Sequence, residues 1–126
     1  MDEVDFCLDE AERRIDAAKI LLNEGYYKDA VSRAYYSMYY ASKALLSMKG
    51  IQTKTHRGLT SKIRELAIEG VIEVEYGKNL TKAEDKREIA DYGMYKKFSM
   101  EEVRALIEDA ERFLERIKRA IMEDNV

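Results

Sequence analysis

Residues 30–46 read AVSRAYYSMYYASKALL, a run without proline or glycine in which small and aromatic residues far outnumber charged ones. At about 100° per residue this run forms a helix with two apolar faces. One face is typical of a packed core and comprises Ala30, Ala34, Met38, Ala41, Leu45 and Met48. The nearly opposite face comprises Tyr36, Tyr39 and Leu46. The helix is therefore either central to a bundle or offers its second face to another subunit.

Helical patterns continue on both sides of this run. The 126 residues contain no proline and six glycines, and 37% of them are charged, which favours long helices. Apolar periodicity predicts helices over about 3–23, 28–48, 55–70, 81–92 or beyond, and from 99 onward. The short connection at Gly25 makes the first two helices antiparallel. We predict an all-α fold, an antiparallel up-and-down bundle of about five helices, with residues 1–126 forming a single domain.

Two capping boxes set the predicted starts of the last two helices. The first is Thr81-x-x-Glu84, and the second is Ser99-x-x-Glu102, which Phe98 and Val103 extend with a hydrophobic staple. Residues 71–76 alternate like a strand, but no second strand is predicted to pair with them. We therefore predict an extended connection there.

Composition limits the classes of function. A single cysteine rules out an internal disulfide, no stretch approaches the roughly 18 apolar residues of a membrane span, and the N-terminus has no targeting signal. We therefore expect a cytoplasmic protein without a membrane segment. The net charge of −3 gives no general attraction to nucleic acid, yet residues 43–67 carry six Lys or Arg residues and one acid. One end of the molecule is predicted to be basic.

The sequence contains none of the common motifs of a metal site, a phosphate-binding loop or a catalytic triad. His56 is the only histidine, and no Cys, His or carboxylate spacing around it matches a metal site. There is no glycine-rich phosphate loop and no Ser-His-Asp or Cys-His arrangement. We predict no metal and no cofactor, and the sequence leans against an enzyme without settling the question.

A basic group precedes the third predicted helix. Lys54, His56 and Arg57 lie at its N-terminus, where the helix dipole disfavours positive charge. A bound phosphate would resolve this conflict, with the helix amides, two threonine hydroxyls and Gly58 as its surroundings. The alternative is that these side chains are solvated loop charges.

Three segments together resemble the HEPN domain family, in its small stand-alone prokaryotic branch of uncharacterised function. They are Ser32–Leu46, Thr55-His-Arg-Gly-Leu59 and Arg87-x-x-Ala90-Asp-Tyr92, in this order along nearly the whole chain. The resemblance implies a helical bundle, frequent homodimerisation and a small nucleotidyltransferase partner, in arrangements that include toxin–antitoxin pairs. It also implies that active members are metal-independent ribonucleases, whose motif is an arginine followed after four to six residues by a histidine.

Arg87 occupies the arginine position of this motif, but residues 92–94 are Tyr, Gly and Met, so the histidine is missing. Asp91 is too weak a base, and Tyr92 too weak an acid, to replace an imidazole at neutral pH. Arg87 alone can bind phosphate. Arg33, Arg87 and Asp91 are thus either a buried ion-pair network joining the second and fourth helices or, together with Tyr92, part of a nucleotide or RNA pocket.

The leading functional prediction is a nucleotide- or RNA-associated HEPN module that acts with a partner nucleotidyltransferase. A metal-independent ribonuclease with a degenerate motif is the second possibility, and a purely structural interaction bundle is the third. We also predict a homodimer, with an interface that comprises Tyr36, Tyr39 and Leu46.

Overall fold

The structure, a computed structural model, describes residues 2–124. Its five helices are α1 (Glu3–Asn23), α2 (Tyr27–Met48), α3 (His56–Ile68), α4 (Val74–Tyr92) and α5 (Met100–Asp124). Within the described residues there is no strand. The predicted all-α helical bundle is therefore confirmed.

Helix α2 is the centre of the bundle, because it packs against each of the other four helices. It runs antiparallel to α1: Ser37 Oγ donates to the carbonyl of Ala11 at 2.8 Å, and Ser47 Oγ, further along α2, donates to Glu3 near the start of α1 at 3.1 Å. Fully buried alanines on the first face of α2, such as Ala34, allow this close approach. Packing within one chain thus explains the first apolar face of α2.

The second face of α2 is covered unevenly. Leu46 is only 2% exposed and belongs to the core, whereas Tyr36 and Tyr39 are half-buried at its edge. The fold leaves Leu46 almost no surface for a partner, which argues against its predicted place in a dimer interface. Tyr36 and Tyr39 keep part of their rings accessible.

Helix α4 begins earlier than predicted. It starts at Val74 rather than at Thr81, and the Thr81 hydroxyl donates to the carbonyl of Gly77 at 3.1 Å inside the helix. Glu84, the second residue of the predicted capping box, is buried within α4. The predicted extended connection thus ends at Glu73, because burial of Ile72 and of Leu80 places this segment against the core.

Arg116 of α5 secures the connection before α4. Its side chain is 10% exposed, and its Nε donates to the Glu73 carboxylate at 2.7 Å. A second guanidinium nitrogen donates to the carbonyl of Val71 at 3.2 Å. These contacts span more than 40 residues of sequence, so no local pattern reveals them.

The start of α5 agrees with its prediction. Ser99 Oγ accepts from the amide of Glu102 at 3.1 Å, and the Glu102 carboxylate accepts from the amide of Ser99 at 3.5 Å. Phe98 and Val103 are both buried beside this cap. The capping box and its flanking apolar pair therefore form as expected.

Candidate functional site

The antiparallel seam between α2 and α4 holds the residues that the motif singled out. Arg87 Nη1 lies 3.3 Å from Asp91 Oδ2, one helical turn along α4. The other oxygen of Asp91 accepts from the hydroxyl of Ser32 on α2 at 2.9 Å. The guanidinium carbon of Arg87 lies 5.2 Å from the centre of the Tyr35 ring, also on α2. Arg87 is thus held by one carboxylate and one aromatic face.

Arg87 retains unused capacity to donate hydrogen bonds. Its side chain is 12% exposed, and its Nε is buried without a partner among residues 2–124. A guanidinium carries five N–H donors in a planar fork that matches phosphate oxygens. The buried Nε is closed off from an outside ligand, so the terminal nitrogens of this partly open arginine are the suitable anchor for a phosphate group.

His56 reaches the same place from a third helix. It is the first residue of α3, whose N-cap Thr55 accepts from the Gly58 amide at 2.9 Å. His56 Nδ1 lies 2.6 Å from the Tyr35 hydroxyl, and its ring stacks on Tyr39 with centroids 4.4 Å apart. We call the five side chains that meet here the Tyr–His–Arg cluster: Tyr35, Tyr36, Tyr39, His56 and Arg87.

Burial and charge set the protonation states of this cluster. Burial lowers the pKa of His56 below its usual value, and the positive charges of Arg87 and Lys43 lower it further, while Glu84 acts in the opposite direction. Burial also raises the pKa of Tyr35, with a smaller contribution from Glu84. Near neutral pH the bond between these residues therefore joins a neutral imidazole and a neutral phenol.

Several predicted site residues lie outside the cluster. Arg33 is exposed on α2 and Lys54 is exposed before α3, while Arg57 lines an open depression of about 460 Å³ between α3 and α4. Tyr92 is 80% exposed and lies five residues beyond Arg87, so it points to a different side of α4. The structure thus pairs Arg87 with Asp91 and links His56 to Arg87 through the Tyr35 side chain.

Two details of the predicted sites take a different form in the structure, and the nucleotide or RNA pocket stays a prediction. The predicted network with Arg33 is instead an Arg87–Asp91 pair within α4, linked to α2 through Ser32. Gly58, which is predicted to allow close approach of a phosphate, has its amide bonded to the Thr55 hydroxyl oxygen, and a Cβ at this position would lie 3.0 Å from that oxygen. Gly58 is therefore explained by the helix cap.

Three residues of the site escaped sequence reasoning: Tyr35, Ser32 and Glu84. Tyr35 is fully buried and lies between the two apolar faces predicted for α2, so neither predicted face includes it. Ser32 and Tyr35 are three residues apart, as neighbours on one helix face are, and this spacing is the available signal.

Residues 2–124 contain neither a cluster suited to a metal ion nor a membrane-spanning helix. No three His, Cys, Asp or Glu residues of this part lie close enough to hold a metal ion. None of its helices is both long and apolar enough to cross a membrane.

Known proteins match this chain over nearly its whole length. The HEPN domain model matches residues 4–120. A Methanocaldococcus jannaschii protein named as a candidate toxin is 39% identical, and the match covers 97% of this chain and 91% of that protein. A UPF0332 protein of Archaeoglobus fulgidus is 36% identical, and the match covers 96% of this chain and 97% of that protein. The crystal structure of ST0689, an archaeal HEPN homologue, shares the fold with a TM-score of 0.77 at 20% identity, covering 96% of this chain and 99% of that one. The chain therefore belongs to the HEPN domain family.

Proposed function

We propose that this protein is a toxin-like HEPN module that binds a phosphate of RNA or of a nucleotide at the Tyr–His–Arg cluster. The observation that carries this proposal is the state of Arg87, whose side chain is partly accessible and whose one carboxylate partner, Asp91, is itself 35% exposed. A phosphate oxygen could accept from the terminal nitrogens of this guanidinium, and the bond would be strengthened by charge.

The surroundings of Arg87 also suit a nucleotide. Tyr36 and Tyr39 are half-buried with part of each ring accessible, and aromatic rings at such positions stack on bases without sequence preference. Lys43, 5.8 Å from the centre of the Tyr39 ring, adds positive charge. The Asp91 carboxylate is 35% exposed, so a phosphate can displace it from Arg87 into solvent at small cost.

A binding comparison tests this proposal. We would measure the affinity of a short single-stranded RNA and of a nucleoside triphosphate for wild type, Arg87→Met and Arg33→Met. Methionine keeps the apolar stem of arginine and removes the charge. Loss of one charge-assisted contact should weaken binding by about 10- to 100-fold in Arg87→Met. The exposed Arg33 lies outside the cluster, so its variant is the matched control. Equal affinities in all three proteins would refute the proposal.

The partners belong to the same proposal. We infer a homodimer in which the accessible parts of Tyr36 and Tyr39 lie near the interface, and a nucleotidyltransferase partner of the kind that the family resemblance implies. The relative named as a candidate toxin supports the proposal of a partner, because a toxin needs a second protein that holds it inactive. Light scattering at micromolar concentration tests the dimer, and a monomer would contradict it.

Co-expression with a nucleotidyltransferase encoded beside the gene tests the second partner. Separate elution of the two proteins would exclude this partner.

A further inference from the structure

We infer that RNA bound at Arg87 continues as a single strand into a depression at one end of the bundle, where Tyr26 and Tyr95 stack on its bases. This inference rests on the proposed function, because the phosphate at Arg87 anchors the strand. It narrows the ligand of that function from a nucleotide or RNA to a single strand of several nucleotides.

The depression lies between the turn that follows α1 and the connection from α4 to α5. It has a volume of about 610 Å³ and is lined by residues 25–29 on one side and 94–98 on the other. Its large side chains are open to solvent: Tyr26 is 59% exposed, Met94 78% and Tyr95 91%. Apolar side chains gathered in this way on a protein surface mark a place that binds a ligand or a partner.

The fold holds both sides of the depression in place. Gly25 has a φ of 84°, which lets the chain turn so that Tyr26 directly precedes α2. On the other side, Phe98 is buried and fixes the end of the connection to the core. The Lys28 ammonium donates to the carbonyl of Gly93 at 3.2 Å and ties the two sides together. The depression is therefore formed before a ligand binds.

The lining of the depression suits a nucleic acid strand. Tyrosine rings stack on bases of any sequence, and lysines beside them attract the phosphates. Three of the lining residues are lysines and one is acidic: Lys28, Lys96, Lys97 and Asp29. The ammonium of Lys96 lies 3.7 Å from Glu102, whereas Lys97 is exposed. A surplus of positive charge beside open aromatic rings favours an anionic chain of bases over an apolar protein segment.

The depression continues from the Arg87 site along the seam between α2 and α4. Three contacts follow one another along this seam: Arg87 with Tyr35, Asp91 with Ser32, and Gly93 with Lys28. From Tyr35 to Lys28 the axis of α2 advances by about 10 Å. A strand advances by roughly 3.4 Å or more per nucleotide, so about three nucleotides cover this distance. The Asp91 carboxylate in the middle repels phosphate, so the strand is held at its two ends.

The test compares uridine strands of two and of six nucleotides by calorimetry with the whole protein. The double variant Tyr26→Ala with Tyr95→Ala should bind the longer strand at least about tenfold more weakly, because stacking on two rings is lost, and the shorter strand within about twofold of the wild type. Arg87→Met should weaken the binding of both strands. Met122→Ala is the matched control, because Met122 is 70% exposed near the other end of α5 and should change neither affinity.

The outcomes separate this inference from the proposed function. If neither strand binds, or if Arg87→Met binds both as the wild type does, the proposed function fails. If both strands bind through Arg87 and the double variant keeps the wild-type affinity for the longer one, the inference is overturned and the phosphate site stands. Loss of co-elution with the nucleotidyltransferase in that same case would assign the depression to a protein partner.

A charge reversal provides a second reading should the double variant fail to fold. Lys97→Glu lies at an exposed position and leaves every ring in place. It should weaken the binding of the six-nucleotide strand more than that of the two-nucleotide strand, because only the longer strand brings phosphates to the depression. Equal effects on the two strands, or no effect on either, would overturn the inference.

Discussion

The hydroxyl of Tyr35 and Nδ1 of His56 lie 2.6 Å apart and join the middle of α2 to the first residue of α3. Tyr35 is fully buried, and a buried hydroxyl is costly unless it has a partner. Arg87 packs on the face of the same ring. Tyr35 is therefore the residue that connects three helices at the candidate site.

Removal of this hydroxyl should weaken the fold measurably. Tyr35→Phe keeps the ring packing and deletes one buried hydrogen bond, so we expect the free energy of unfolding to fall by about 1 kcal/mol. Chemical denaturation provides the measurement. Tyr95→Phe is the matched control, because Tyr95 is 91% exposed and should show no change. Equal stability of both variants would contradict the account of Tyr35.

The lowered pKa of His56 predicts how stability depends on pH. The folded protein binds a proton at His56 less readily than the unfolded chain, whose histidine titrates near 6.5. The contribution of His56 to the free energy of unfolding is complete above this pH. It is progressively lost as the pH falls through 6.5 toward the pKa of His56 in the folded protein. Denaturation curves between pH 8 and 5 should show this loss in wild type. In His56→Gln the loss from this residue should disappear, and an identical pH dependence in both proteins would contradict the shift.

Local patterns account for what could be read from the sequence. The start of α5 was predictable because Ser99 and Glu102 satisfy each other's amides three residues apart. The Arg87–Asp91 pair could be predicted because residues four positions apart are neighbours on one helix face. Such features need no knowledge of tertiary packing.

Features that depend on packing could not be read in this way. The same capping pattern misplaced the start of α4, because burial of Ile72 overrides a local signal at Thr81. The bond between Tyr35 and His56 spans 21 residues and requires the packed arrangement of α2 and α3. Only the structure shows that His56 contacts the same tyrosine as Arg87.

Leu46 should behave as a core residue. It is 2% exposed, so Leu46→Ala should lower the free energy of unfolding by about 2–5 kcal/mol through lost burial and the cavity left behind. The change should leave the association state untouched. Denaturation curves and light scattering together make the measurement, and a variant that keeps its stability but changes its association would restore Leu46 to the interface.

The contact between Arg116 and Glu73, which are 43 residues apart in the sequence, should contribute to the stability of the fold. Arg116→Met keeps the buried stem and removes the bonds to Glu73 and to the carbonyl of Val71. Because Glu73 is largely exposed, we expect a loss of only about 1–2 kcal/mol in the free energy of unfolding. Arg119→Met, at an exposed position of the same helix, should change the melting temperature little. A smaller effect at Arg116 than at Arg119 would contradict this role.

The central claim is that phosphate binds at the Tyr–His–Arg cluster, and the single histidine offers a direct probe of it. NMR of the His56 imidazole can be followed during titration with a short 2′-O-methylated strand, which cannot be cleaved. We predict a saturable shift of the His56 signals and a higher pKa of His56 in the complex, because a phosphate charge nearby favours the imidazolium. Arg87→Met should need a much higher concentration of the strand. Unchanged His56 signals at concentrations that saturate binding would place the ligand elsewhere and contradict the account.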